Sequence, residues 1–127
     1  MHTASDEMTL AEFDTTARKW ARDLEDRERI RTGLPLAKAR GIIARKIGIP
    51  AGTLETLRNG RRKGICAWAF DRLRSAVLNE LQAEIARCQH EIHIARQTGV
   101  DPRSPEMDAL ARAVERARSL MDAEVTL

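Results

Sequence analysis

Residues 36–74 carry ten Arg or Lys and only two acids, Glu55 and Asp71, a local net charge of +8 in a chain whose total is +3. The flanks are mildly acidic, net −2 over residues 1–35 and −3 over residues 75–127. Guanidinium and ammonium groups gathered on one segment supply the charges and donors that hold phosphate oxygens. This centre therefore reads as an electrostatic footprint for a polyanion.

Other chemistries find less support. Cys88, His90 and His93 fall within two helical turns, but Cys88 belongs to an apolar stripe, and residues 90–93 lack the second histidine, four positions on, that a zinc-protease helix needs. No metal site is expected, and the histidines read as solvent-facing. Cys66, beside Trp68 and Phe70, reads as a small core residue. The two cysteines are not a CxxC pair, so a reducing compartment is the simplest setting. Asp23, Asp26 and Glu28 lie on a charged helix face with no base or nucleophile around them, and no phosphate-binding glycine loop is present. Neither a catalytic residue nor a cofactor is expected, and the chain does not read as an enzyme.

The elements that position the basic segment are helical. Ala, Leu, Arg, Lys and Glu make up 64 of the 127 residues, a share that points to long helices, whereas four aromatics and four Val are too few for a β-sandwich or barrel. The longest apolar run, residues 65–70, is six, far short of a membrane span, and the N-terminal residues lack the basic stretch and apolar core of a signal peptide. A cytoplasmic protein is the expectation. Thr9 and Glu12 form a capping box, and Leu10, Phe13, Ala17, Trp20 and Leu24 recur at spacings of 3 and 4, so a first helix is expected to end at Gly33 and Pro35.

A second helix is predicted over residues 36–47, burying Leu36, Ala39, Ile43 and Ile47 beside Ala44, with Gly41 at a close helix crossing. Gly48, Ile49 and Pro50 break it, and a short third helix follows over residues 51–59, ending at Gly60. Ile43, Ile47, Ile49, Leu54 and Leu57 would bury the inner faces of the two helices. Thr53, Glu55, Thr56, Arg58 and Asn59 are left for the outer face. From residue 65 to about residue 97 nothing interrupts the chain, and Leu78, Leu81, Ile85, Cys88, Ile92 and Ala95 define a 3-4 seam that begins near Leu78. After a turn-rich loop, Ser104, Pro105 and Glu106 start a last helix over residues 105–122 with Met107, Leu110, Val114, Ala117 and Met121 on one face. The tail from Glu124 is expected to fray.

Residues 36–63 resemble the helix-turn-helix of phage-repressor-type DNA-binding domains, the family of the lambda-type repressors. Ile43, Ala44, Lys46, Ile47, Gly48, Ile49, Thr53, Leu54 and Leu57, and Asn59, Gly60, Arg61 and Arg62, stand where that family has its alanine, turn glycine, buried aliphatics and basic exit. The resemblance implies that the third helix enters the major groove. Ala51, Gly52, Thr53, Glu55, Thr56 and Arg58 would then face bases, and Lys38, Arg40, Arg45, Lys46, Asn59, Arg61, Arg62 and Lys63 the phosphate backbone. Pro50, Ala51 and Gly52 depart from the pattern, because many relatives have a serine cap and side-chain amides there. Bidentate adenine contacts from those positions are therefore absent, and preference falls on Thr53, Glu55, Thr56 and Arg58 or on DNA shape.

These readings combine into an all-α protein. Residues 1–64 are expected to form an N-terminal helix plus a helix-turn-helix head, and residues 65–127 a long helix with an antiparallel C-terminal helix, a hairpin or short coiled coil. That second part is read as a dimerisation element through Leu78, Leu81, Ile85, Cys88 and Ile92, formed within or between chains. The function implied is a dimeric, sequence-specific regulator of transcription on double-stranded DNA, a repressor by the resemblance, bacterial or phage-encoded and associated with the nucleoid. The alternatives are a helical protein–protein adaptor or antitoxin-like module whose C-terminal helices hold a protein partner, and a DNA-packaging protein of low specificity.

Overall fold

The computed structural model describes residues 10–60 and 65–125. It is all-α. The helices run in the order α1 (Leu10–Thr32), α2 (Leu36–Ile47), α3 (Ala51–Arg58), α4 (Ala67–Gln97) and α5 (Pro105–Val125), with no strand among the described residues. No helix is long and apolar enough to cross a membrane among those residues. Two compact units result, Met1–Val77 and Leu78–Leu127, with α4 contributing to both.

In the first unit Ala17, Trp20, Ala21 and Leu24 turn one face of α1 inward, towards a core that also takes Ala39 and Ile43 of α2, Ile49 of the turn, and Leu54 and Leu57 of α3. Leu36, Ala44 and Ile47 keep partial exposure. The first three turns of α4 close this core. Ala69, Leu73 and Val77 are buried, and the Phe70 ring lies 4.8 Å from both Trp20 and Phe13, edge-on to the latter. The compact unit accordingly runs on to Val77. Three local expectations change. Gly41 has nothing within 4 Å of where a Cβ would stand, so no helix crosses there. Cys66 is exposed and not in the core, because α4 begins one residue later and its inward stripe runs through Ala69, Leu73 and Val77. Thr9, the expected first cap, lies outside the described residues.

In the second unit α4 packs against α5, burying Leu81 and Cys88 on one helix and Met107, Val114 and Ala117 on the other. The connection is closed by backbone bonds from Thr98 to Ile94 and from Val100 to Ala95, both 3.0 Å, and by the Asp101 carboxylate accepting from the Arg103 N–H. Ser104 caps α5. Its hydroxyl oxygen accepts from the Met107 N–H at 3.3 Å, with Glu106 and Asp108 in the positive first turn. Ser104→Ala should cost about 1 kcal/mol, and Ser104→Asp should retain most of that stability, as thermal melts followed by circular dichroism would report. An unchanged melt in Ser104→Ala would show the cap to be idle. The expected fraying of the tail does not occur at Glu124, which is buried in a helix that continues to Val125.

Candidate nucleic-acid interface

α2 and α3 are joined by three residues, each with a distinct task. Gly48 adopts φ +72°, the left-handed conformation that L side chains resist, and its N–H returns to the Ala44 carbonyl at 2.9 Å. Ile49 is buried in the corner, and Pro50 is extended, its carbonyl accepting from the Thr53 and Leu54 N–H groups at 3.0 and 3.2 Å. The turn is also held from α4. Arg72 donates through Nη1 to the Gly48 carbonyl at 2.8 Å, its guanidinium fills the space a Gly48 side chain would need, and its Cζ stands 5.1 Å from the Trp68 ring centroid.

Burial of Leu54 and Leu57 fixes which way α3 faces. Ala51, Gly52, Glu55 and Asn59 are exposed, and Thr53 and Thr56 half-buried. The Thr56 hydroxyl donates to the Thr53 carbonyl at 3.0 Å, so its methyl group and oxygen lone pairs are what it offers outward. Neither Pro35 nor Pro50 caps the helix that follows it with a side chain, which leaves the first N–H groups of α2 and α3 without that partner. On α2, Lys38 and Arg45 are exposed, seven residues apart on one side of the helix, and paired with no carboxylate among the described residues.

Three of the cations expected outside are instead engaged with α1. Arg40 Nε reaches Glu25 Oε2 at 2.6 Å, and Arg58 Nη1 reaches Glu25 Oε1 at 3.1 Å, where Glu25 is fully buried and the two arginine side chains are 12% and 19% exposed. Arg58 also lies 3.3 Å from Asp26. Its guanidinium therefore points back into the unit and not outward with Glu55, and Arg40, expected as a phosphate contact, is likewise turned to Glu25. Lys46 is shared: its Nζ is 3.0 Å from Glu28, which also accepts from Arg31 at 2.9 Å, but it remains half exposed. Glu28 is buried and does not sit on a solvated charged face. These carboxylates are the functional residues that sequence reading missed. A signal existed, because Ala17, Ala21, Glu25 and Glu28 follow one another at spacings of 4, 4 and 3 along the inward side of α1.

Arg61, Arg62 and Lys63 lie outside the described residues. Of the residues expected in the seam, Leu81 and Cys88 are covered within one chain, whereas Leu78, Ile85 and Ile92 keep partial exposure. No protein-family model, curated protein or solved structure matches this chain.

Proposed function

We propose that the chain is a sequence-specific regulator on double-stranded DNA, with α3 in the major groove and the ends of α2 and α3 against the phosphates. The observation that carries this reading is the combination of a glycine-cornered three-residue turn, a short helix with small and acceptor side chains outward, and unpaired cations on the helix that precedes the turn. With Arg58 turned inward, the bidentate guanine contact it could have made is gone, and no amide stands at Ala51 or Gly52 to read adenine. What remains on α3 is acceptors and methyl groups. Glu55 suits the cytosine amino group, and Ala51, Thr53 and Thr56 suit thymine methyls.

Selection of duplexes from a random pool tests this directly. A recovered motif should contain a cytosine whose replacement costs about 1–3 kcal/mol in the parent chain and little in Glu55→Ala. Arg61→Ala and Arg62→Ala should weaken all duplexes alike, each flattening the salt dependence by about 0.9 in log–log slope. If duplexes bind but none better than random at about 150 mM salt, the low-specificity packaging reading replaces this one. If no duplex binds at all, the adaptor reading takes its place.

Action as a homodimeric repressor in a bacterial nucleoid belongs to the same proposal. It is supported by the half-exposed Leu78, Ile85 and Ile92 on the hairpin and by the pairing of helix-turn-helix heads over two half-sites. A palindromic motif and a dimer by light scattering are the results it requires.

A further inference from the structure

We infer that Arg18 and Arg22 of α1 form a phosphodiester-binding site at the exit of α3, an extension of the interface that rests on the DNA-binding reading above. α1 belongs to a flank that is net acidic in sequence, so nothing in the charge arithmetic marks these two residues. Folding changes their setting. Glu25 and Glu28 are buried, where they are taken up by Arg40, Arg58, Lys46 and Arg31. Arg18 and Arg22, one turn apart on the same side of α1, are left beside the last residues of α3.

Arg22 Nη2 donates to the Arg58 carbonyl at 3.0 Å, a neutral acceptor, and the Arg22 side chain is exposed. Arg18 lays its guanidinium over Gly60, Nη2 standing 3.1 Å and Cζ 3.2 Å from the point a Cβ would occupy. The φ of +69° favours glycine at this position, and a Cβ here would press on the Arg18 guanidinium by a few tenths of an ångström. Arg18 Nε is buried with no acceptor, and among the described residues no carboxylate pairs with either arginine. Three further cations, Arg61, Arg62 and Lys63, follow Gly60 directly in the chain. Arg18 and Arg22 carry like charges one turn apart with no carboxylate on either, and a phosphodiester placed between them relieves their repulsion. An arginine can hold such a group with two donors while a third stays on the protein, as Arg22 does on the Arg58 carbonyl.

Phosphate contacts are blind to sequence, so a short fluorescein-labelled duplex of mixed sequence is the probe, titrated by anisotropy between about 50 and 200 mM salt. Arg18→Gln and Arg22→Gln should each lower the log–log salt slope by about 0.9, and the double variant by about twice that. Arg22→Lys should keep the parent slope. Phenylglyoxal modification of the unaltered chain, read by mass spectrometry, covers the case in which a Gln variant fails to fold. Arg18 and Arg22 should then be protected by the duplex and Arg103 should not. If the parent chain binds but the slopes and the modification pattern do not change, the inference is overturned and the DNA-binding reading stands. If the parent chain binds no duplex, both fall.

Discussion

Glu25→Ala should destabilise the first unit by about 3–5 kcal/mol, a large part of the roughly 5–15 kcal/mol that holds a typical domain together. The reason lies in what is left behind. One carboxylate, itself without solvent exposure, satisfies Arg40 of α2 and Arg58 of α3, and its removal strands two nearly buried guanidinium groups against each other. Both helices of the helix-turn-helix lose their anchor on α1 in one substitution. Asp26→Ala, which removes a half-exposed carboxylate from the same arginine, should cost under about 1 kcal/mol. Replacing all three buried partners with apolar residues of similar volume should come closer to neutral, because no charge is then left uncompensated. Urea denaturation measures each difference, and a loss below about 1 kcal/mol in Glu25→Ala would refute the anchoring role.

Trp20→Ala should cost a comparable amount, about 3–5 kcal/mol, by a different route. Trp20 is the largest fully buried side chain of the first unit, and its ring meets Phe70 at 4.8 Å. Phe70 in turn takes Phe13 edge-on, so the indole fills the space where α1 meets the start of α4. Truncation there leaves a cavity bordered by helices that cannot close on it without losing the aromatic contacts. Trp20→Phe should recover about half of the loss, since a six-membered ring retains the contact with Phe70. Circular dichroism melts of the two variants read the effect, and equal stability of Trp20→Ala and the parent chain would contradict this account of the core.

The architecture was legible where local punctuation decides it. Gly33 and Pro35, and Gly48 and Pro50, fix the limits of α2 to the residue, and the 3-4 spacing of Leu81, Cys88, Val114 and Ala117 marks the faces on which α4 and α5 meet. The site was legible in outline only. The spacing of Leu54 and Leu57 leaves Arg58 for the outer face of α3, but an arginine stem is long enough to reach solvent or to fold back. The choice is made by Glu25, 33 residues away, through an ion pair that no local rule encodes. Net charge misleads for the same reason. It counts Glu25 and Glu28 as surface acids when their fields are already consumed inside the fold. Arg72 escaped notice because its partner is a backbone carbonyl of the turn, and carbonyls carry no signature in the sequence.

The contact between Arg72 and Trp68 has an optical consequence. The chain has two tryptophans, one sealed in the core and one 49% exposed with its ring against the guanidinium that grips the Gly48 carbonyl. Their emission must differ in wavelength, because one indole sees hydrocarbon and the other sees water and a cation. In a chain carrying Trp20→Phe the remaining fluorescence comes from Trp68 alone, a single intrinsic dye seated beside the corner between α2 and α3. The protein thus supplies its own unlabelled gauge of whether that corner stays as it is when a ligand arrives.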